Sequence, residues 1–563
     1  MADIRYSVCA LPWSVAADDD HHVSLFVSPR LSPDGKLGEF DPVSRWTDVV
    51  TDPGTVLTLT DQTGQPYEIQ PILPDDPTVW SAVFPAETPV RAWDSRSLDG
   101  RALQSFPAKH GVDVAKVLHT ASFAAGPIEP PAPSASFLAP LMESLARHMS
   151  AWRETHDGMV YDESLATHYL DRATDGGRRS IPAERSSNQP LAGLMLPVIG
   201  DLHRARRFFE RPESAQPYLA DPDPEAVSPR LENPERDFHE RLTLLGDQPA
   251  LLRRLGLVID LVVADLGRLS QAQWLTGRIE LAGAGDLTLP TRVRCRAAGK
   301  TLVTIGLDGG DWHDGRLRLG DSERFSMLDL DPDASALKLD RFLWTVPRLS
   351  SQESSGEPAH AAPPTLKGHG FGVARADRAD DLGKRQAAAA TKTEPALTGG
   401  DAPLLHTEDV NRGMRVEVWD DTARRWFTLH ARGAEVAVDG MAPFHVDEEG
   451  WIQGGTVQET YGIEGGTVYV HESVFGWSGW SLSAPHPALS LEHTYGTPPP
   501  APDDPERNER LTDPELPAAP AVHVVTQYRV TPGTLPRLRY GRSYALRAWS
   551  VDLAGASPKH ELT

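Results

Sequence analysis

Eight consecutive residues, Asp308-Gly309-Gly310-Asp311-Trp312-His313-Asp314-Gly315, gather three carboxylates and an imidazole. Oxygen donors at that density suit Ca2+. The run lacks the EF-hand register and its closing glutamate, so a turn whose aspartates cap backbone amides is the expected role. His471-Glu472 begins like the zinc motif HExxH, but Phe475 stands where the second histidine must be, which excludes a metalloprotease. Asp201-Leu202-His203 and Asp237-Phe238-His239-Glu240 place acid–base groups side by side in helical stretches, where such neighbours are ordinarily surface pairs. The chain has no GxSxG, no GxxxxGK[ST] and no GxGxxG after a strand, so serine-hydrolase, nucleotide-loop and dinucleotide chemistry lack support. No catalytic residue, metal site or cofactor is expected.

The binding candidates are Phe475, Trp477 and Trp480 in Val474-Phe475-Gly476-Trp477-Ser478-Gly479-Trp480. Glycines between large rings would let the rings stand free to stack on a sugar or a partner surface. Trp477 and Trp480 are three apart, so a regular strand would turn them to opposite faces, and core packing competes with binding.

These residues must be held by short elements, because 49 Pro and 46 Gly break the chain often. At 563 residues it exceeds the roughly 250–300 that one hydrophobic core sustains, so several domains are expected. Residues 1–133 read as a β domain: Val23, Leu25 and Val27 alternate with His22, Ser24 and Phe26, and Val56–Thr60, a turn at Asp61-Gln62-Thr63-Gly64 and Tyr67-Glu68-Ile69 form an expected hairpin. Residues 134–275 read as a helical, loop-rich insertion. Leu138, Leu141, Met142, Leu145, Met149 and Trp152 share one helical face, and a second helical region is expected over 234–269. Residues 276–349 return to β, with strict alternation at Arg292-Val293-Arg294-Cys295-Arg296. Residues 350–403, with Ala387-Ala388-Ala389-Ala390, are expected to be a disordered linker. A third β domain covers 404–495, a proline-rich acidic linker 496–520, and a partial β module 521–563. The expected fold class is multidomain and mainly β, with antiparallel β-sandwich-like modules and one helical insertion.

A net charge of −24 repels nucleic acid and anionic lipid, and no basic stripe with interleaved aromatics offsets it. Cys9 and Cys295 are the only cysteines, which excludes a disulfide framework. The most apolar run, 255–266, is too short to span a bilayer and contains Asp260 and Asp265, so no membrane insertion is expected. Tyr6 to Ala17 imitates a signal peptide weakly, because Pro12, Trp13 and Ser14 interrupt it. A cytoplasmic place, or one in a released assembly, is favoured.

Leu538 to Ser557 resembles the penultimate strand of a fibronectin type III domain at Tyr544, Leu546, Ala548, Val551, Gly555 and Ser557. The match covers about 20 residues. In that family a final strand follows and closes one sheet, whereas few residues follow Ser557 here. The resemblance therefore implies either a longer polypeptide or a partner that completes the fold, since an open edge invites aggregation. Glu408 to Asp420 and Leu328 to Leu339 resemble segments of large bacterial proteins associated with contractile injection system loci. Those proteins have no established catalytic residues, so this resemblance implies a context and not a mechanism.

The expected function is a non-enzymatic structural or interaction protein, a scaffold or accessory component of a larger bacterial assembly with protein partners. Two alternatives remain: a carbohydrate-binding or carbohydrate-active protein with an aromatic-lined site, and a calcium-dependent adhesin using the loop around Asp311.

Overall fold

The computed structural model describes residues 3–15, 21–93, 103–106, 236–298, 301–329, 370–397, 401–438, 441–454, 456–458, 468–485 and 524–558. The helix expected at 137–152, the pair at 201–203 and the linker 496–520 lie outside the described residues. Strand dominates within them, in mostly antiparallel sheets, and the mainly β, multidomain fold class holds. None of their helices is long and apolar enough to cross a membrane.

Strands β1 (Asp3–Val15), β2 (His21–Ser32), β3 (Val56–Thr60), β4 (Ile69–Ile72), β5 (Val258–Val263), β6 (Trp274–Leu281), β7 (Thr288–Leu289), β8 (Arg292–Ala298) and β9 (Thr301–Thr304) build two sheets of a first core. One has the order β7-β1-β2-β5-β4; the other runs β6-β8-β9, with β3 against β6. Alternation at Val23, Leu25 and Val27 does mark a strand, paired antiparallel with β1. The sheets approach closely at Gly277, where a Cβ would meet Leu25 Cδ2 at 2.6 Å. Helices α1 (Trp46–Val50), α2 (Thr78–Val83), α3 (Phe238–Leu245) and α4 (Pro249–Arg254) add an aromatic column. In it Tyr6 stacks on Trp46 at 5.2 Å, and Trp80, Phe84 and Phe238 continue the column.

Two expectations are corrected here. Val56–Thr60 and the 67–69 run meet only beside their turn, through the antiparallel Thr60–Pro66 bridge and the Tyr67 amide donating to Leu59 O at 2.8 Å, and no extended hairpin follows: β3 pairs with β6 along five residues, while β4 pairs with β5. The 258–263 run is a strand and not helix. Its β-branched Val258, Ile259, Val262 and Val263 suit a pleated surface buried between β2 and β4. Asp260 within it is held by Arg253 at 2.7 Å and by the Ser24 hydroxyl.

A second core uses β10 (Trp312–His313), β11 (Arg316–Leu317), β12 (Phe325–Leu328), β13 (Phe371–Arg375), β14 (Asn411–Asp420), β15 (Arg425–Thr428), β16 (Ala431–Val438), β17 (Phe444–Glu449), β18 (Ser473–Trp477), β19 (Val524–Val530) and β20 (Tyr544–Asp552), not all of which stay within it. A sheet ordered β10-β11-β20-β14-β15 and a sheet ordered β12-β13-β18 enclose Leu317, Phe325, Val373, Val416, Val418, Phe475, Trp477 and Ala548. This is a two-layer sandwich. The remaining sheet, β17-β16-β19, instead buries Ala434, Val436, Val438 and Val446 in the first core. Consecutive hairpins thus serve different cores.

Two more corrections follow. Residues 371–397, expected in a disordered linker, form β13 and helix α5 (Arg378–Leu397), because a run of alanines is the best available helix former and not merely low-complexity sequence. The last stretch is not a partial module left open. Strand β20 lies inside the five-stranded sheet, paired from Tyr544 to Asp552 with β14 and at Trp549 with Arg316 of β11. The strand on its other side, the two-residue β11, comes from far upstream in the chain.

Candidate functional site

Phe475 and Trp477 are two apart in β18, so they share a face, and that face is the inside of the sandwich. Trp477 is 1% exposed and meets Phe371 and Tyr544 edge-on at 5.6 and 5.5 Å. Phe475 is 5% exposed. Both are core residues, which corrects their assignment to ligand binding. Trp480 lies beyond the strand, half-buried, with its indole N–H donating to Pro485 O at 3.2 Å. The three rings form no common platform.

Of the acidic residues singled out for chemistry, Asp308 is exposed, whereas Asp311, Asp314, Asp237, Glu240 and Glu472 are engaged structurally. The Asp311 carboxylate is buried against Arg375 at 2.6 Å, Arg324 at 2.8 Å and Arg385 at 3.5 Å, and Asp314 meets Arg296 at 2.7 Å. A calcium ion there would have to displace guanidinium groups. Asp314 and Gly315, with φ of 49° and 73°, make the two-residue turn between β10 and β11. Asp237 is the N-cap of α3: its carboxylate accepts the His239 and Glu240 amides, and Glu240 accepts the Asp237 amide in return. His239 Nε2 accepts the Leu31 amide at 3.2 Å, and burial lowers its basicity. Glu472 accepts the Ser105 hydroxyl, and His471 Nδ1 accepts the Ser473 amide.

One polar cluster escaped linear reading because its members come from separate strands. Arg415 of β14 donates to Gly450 O at 2.9 Å, Glu449 O at 2.6 Å and Gly555 O at 2.7 Å. Arg432 of β16 binds Glu448 at 2.6 Å and Asp247 O at 2.9 Å, and lies 3.6 Å over the Tyr528 ring. Beside them His430 Nδ1 is hydrogen-bonded to Ser483 Oγ. Burial, with the two guanidinium charges, holds that imidazole well below its usual pKa, so it is neutral. Its Nε2 has no partner among the described residues, and the pair therefore lacks the orienting carboxylate of a serine nucleophile. Asp552 is fully buried; Oδ1 accepts the Ala554 and Ala556 amides, and burial pushes its pKa up to about 7. This cluster is a joint between the cores.

The outer face of the five-stranded sheet is different. Register places Glu417 beside Arg547 and Thr428, Trp419 beside Trp426, and Trp549 beside Arg316. The Arg547 guanidinium lies 4.0 Å from the Trp426 ring and 5.3 Å from the Trp549 ring, which also has Arg316 at 4.9 Å. Glu417 accepts from Arg547 and from the Trp549 indole at 2.9 Å. A layer of alternating cations and rings thus crosses four strands. At its end the loop 531–543 carries Arg537, Arg539, Tyr540 and Arg542, with Tyr540 at 106% of its reference exposure. Sequence reading passed over these residues. Three arginines flanking Tyr540-Gly541 in a strongly acidic chain were the available signal.

No family model, curated protein or solved structure matches the chain.

Proposed function

We infer that the chain is a non-enzymatic structural or interaction protein, an accessory component of a larger assembly. The observation that carries this reading is the outer face of the β20-containing sheet. Its inner face already supplies a complete apolar core, so folding does not call for the half-buried Trp419, Trp426 and Arg547 and the exposed Arg316 to form an ordered layer around the buried Trp549 on the other side. Aromatic rings and arginine held in fixed geometry are the residue types that dominate protein interfaces.

The fibronectin type III-like reading of the last stretch is supported by Tyr544. Its hydroxyl turns back to donate to Arg537 O at 2.7 Å and accept the Arg539 amide at 2.9 Å, as the tyrosine corner of such sandwiches does. The antiparallel neighbour β11 in the closing-strand position supports it too. Carbohydrate binding would need a flat ring platform. Trp419 and Trp426 are inclined at 57°, and Phe475 and Trp477 are inside.

The test is isolation of the tagged full chain from its source cells after mild crosslinking. Recovery in a particle well above the 61.4 kDa of one chain is expected, with defined protein neighbours. Recovery only as a single free chain would remove the proposal.

A further inference from the structure

We propose that the loop 531–543, together with the turn between β14 and β15, is a docking site for an acidic segment of a partner protein. This rests on the interaction reading above and names the chemistry of its partner.

The site is built on a fixed base. Leu535 and Leu538 pack into the sandwich core, and Leu538 lies over Gly479, where a Cβ would come within 3.0 Å of it. The Tyr544 hydroxyl fastens the backbone at Arg537 and Arg539. With both leucines turned inward, Arg537, Arg539 and Tyr540 face water. Gly541, at φ +76° in open space, turns the chain directly after the tyrosine. The adjoining turn is tied on by the Asp421 amide donating to Ser543 O at 3.3 Å, which brings Arg424 and Arg425 to the same end.

The charge there opposes that of the whole molecule. Asp420 is buried, its carboxylate accepting the Thr422 and Ala423 amides and facing Arg542 at 3.5 Å. Asp421 lies 3.9 Å from Arg424, whose side chain is 77% exposed. Arg425 stacks on Phe427 at 4.1 Å. The Arg537 and Arg539 guanidinium groups have no ion-pair or hydrogen-bond partner among the described residues. Five arginines thus meet two aspartates at one end of a chain of net charge −24.

Guanidinium forks match carboxylates in two-point hydrogen bonds, and a fixed loop loses little entropy in making them. Screening confines the attraction to about 8 Å at physiological salt, so a short acidic segment feels this end alone. A long polyanion such as nucleic acid, or an anionic membrane, would also have to lie along the acidic remainder. Tyr540 adds an apolar contact beside the charges.

Fluorescence anisotropy of a labelled short oligoglutamate with the full chain tests the site. Binding that weakens with salt is expected, with a loss of about tenfold or more in Arg537→Glu/Arg539→Glu and of about fivefold in Tyr540→Ala at an unchanged salt slope. Neither arginine supports the fold, so unaltered thermal unfolding verifies that the variants are native. Equal affinity of the double variant for oligoglutamate overturns the proposal. So does binding of oligothymidylate or phosphatidylserine vesicles as tight as that of oligoglutamate. The crosslinked particle separates the two readings: one that keeps its composition in the double variant leaves the interaction role standing and removes this site, whereas a lone chain removes both.

Discussion

Arg415 and Arg432 on one side, Arg537 and Arg539 on the other, are the same residue type within one C-terminal region, yet they sit in opposite solvents. The first pair is desolvated, and its donors are taken up by backbone carbonyls and by Glu448. The second pair stands in water on a rigid loop with its donors unused. Burial without partners is costly, so the first pair had to be satisfied by the protein itself. Exposure imposes no such demand, and what the second pair meets is left to other molecules. The residue's surroundings, and not its identity, separate a joint from a recognition surface.

The contrast breaks most visibly at the joint. Arg432→Met leaves Glu448 buried without its cation, and a loss of about 3–5 kcal/mol in urea unfolding is expected. A loss below about 1 kcal/mol would mean that the joint is wet and the distinction unsound. Trp477→Ala removes a ring packed between Phe371 and Tyr544, with an expected loss of about 3–5 kcal/mol. A ring used for ligand stacking would leave stability almost unchanged, and calorimetry decides between the two.

Protonation sharpens the comparison, since the joint contains two groups titrating in opposite senses. His430 is held neutral in the fold, so the unfolded chain binds the extra proton below pH 6.5 and stability falls as pH falls. Asp552 keeps its proton up to about pH 7, against an ordinary 3.8, so its contribution falls as pH rises through that window. Below about pH 6.5 the two slopes therefore oppose each other, each amounting to at most about 1.4 kcal/mol per pH unit. Relative to the native chain, Asp552→Asn should gain stability with rising pH there, and His430→Phe should gain it with falling pH. Parallel curves for the native chain and both variants would refute the assignment. The smallest effect belongs to the loop: Arg537→Met/Arg539→Met should change unfolding by no more than about 0.5 kcal/mol.

Much of the strand content was legible from alternation, as at Val23, Leu25 and Val27, and at Leu546 and Ala548. Period-two patterning names the buried face of a strand but not its neighbour. It therefore could not pair Arg316 with Trp549, or send β16 to one core and β14 to the other. The strand at 258–263 was hidden because a short apolar run carries no period of its own. Helix α5 was hidden because alanine reads as low complexity before it reads as helix. At the site, Trp477 misled since an indole beside glycines is consistent with either exposure or close packing. The joint could not be read linearly at all, with His430 and Ser483 brought together by strands rather than by spacing.

The upstream strand that completes the β20 sheet has a consequence for biosynthesis. Trp312, Val416, Val418 and Trp477 leave the ribosome well before Leu546 and Ala548 can cover them. At bacterial or eukaryotic elongation rates that interval lasts on the order of seconds to tens of seconds. During it the nascent chain displays sticky, half-made sheets, so its yield should depend on holdase chaperones more than its finished stability would suggest.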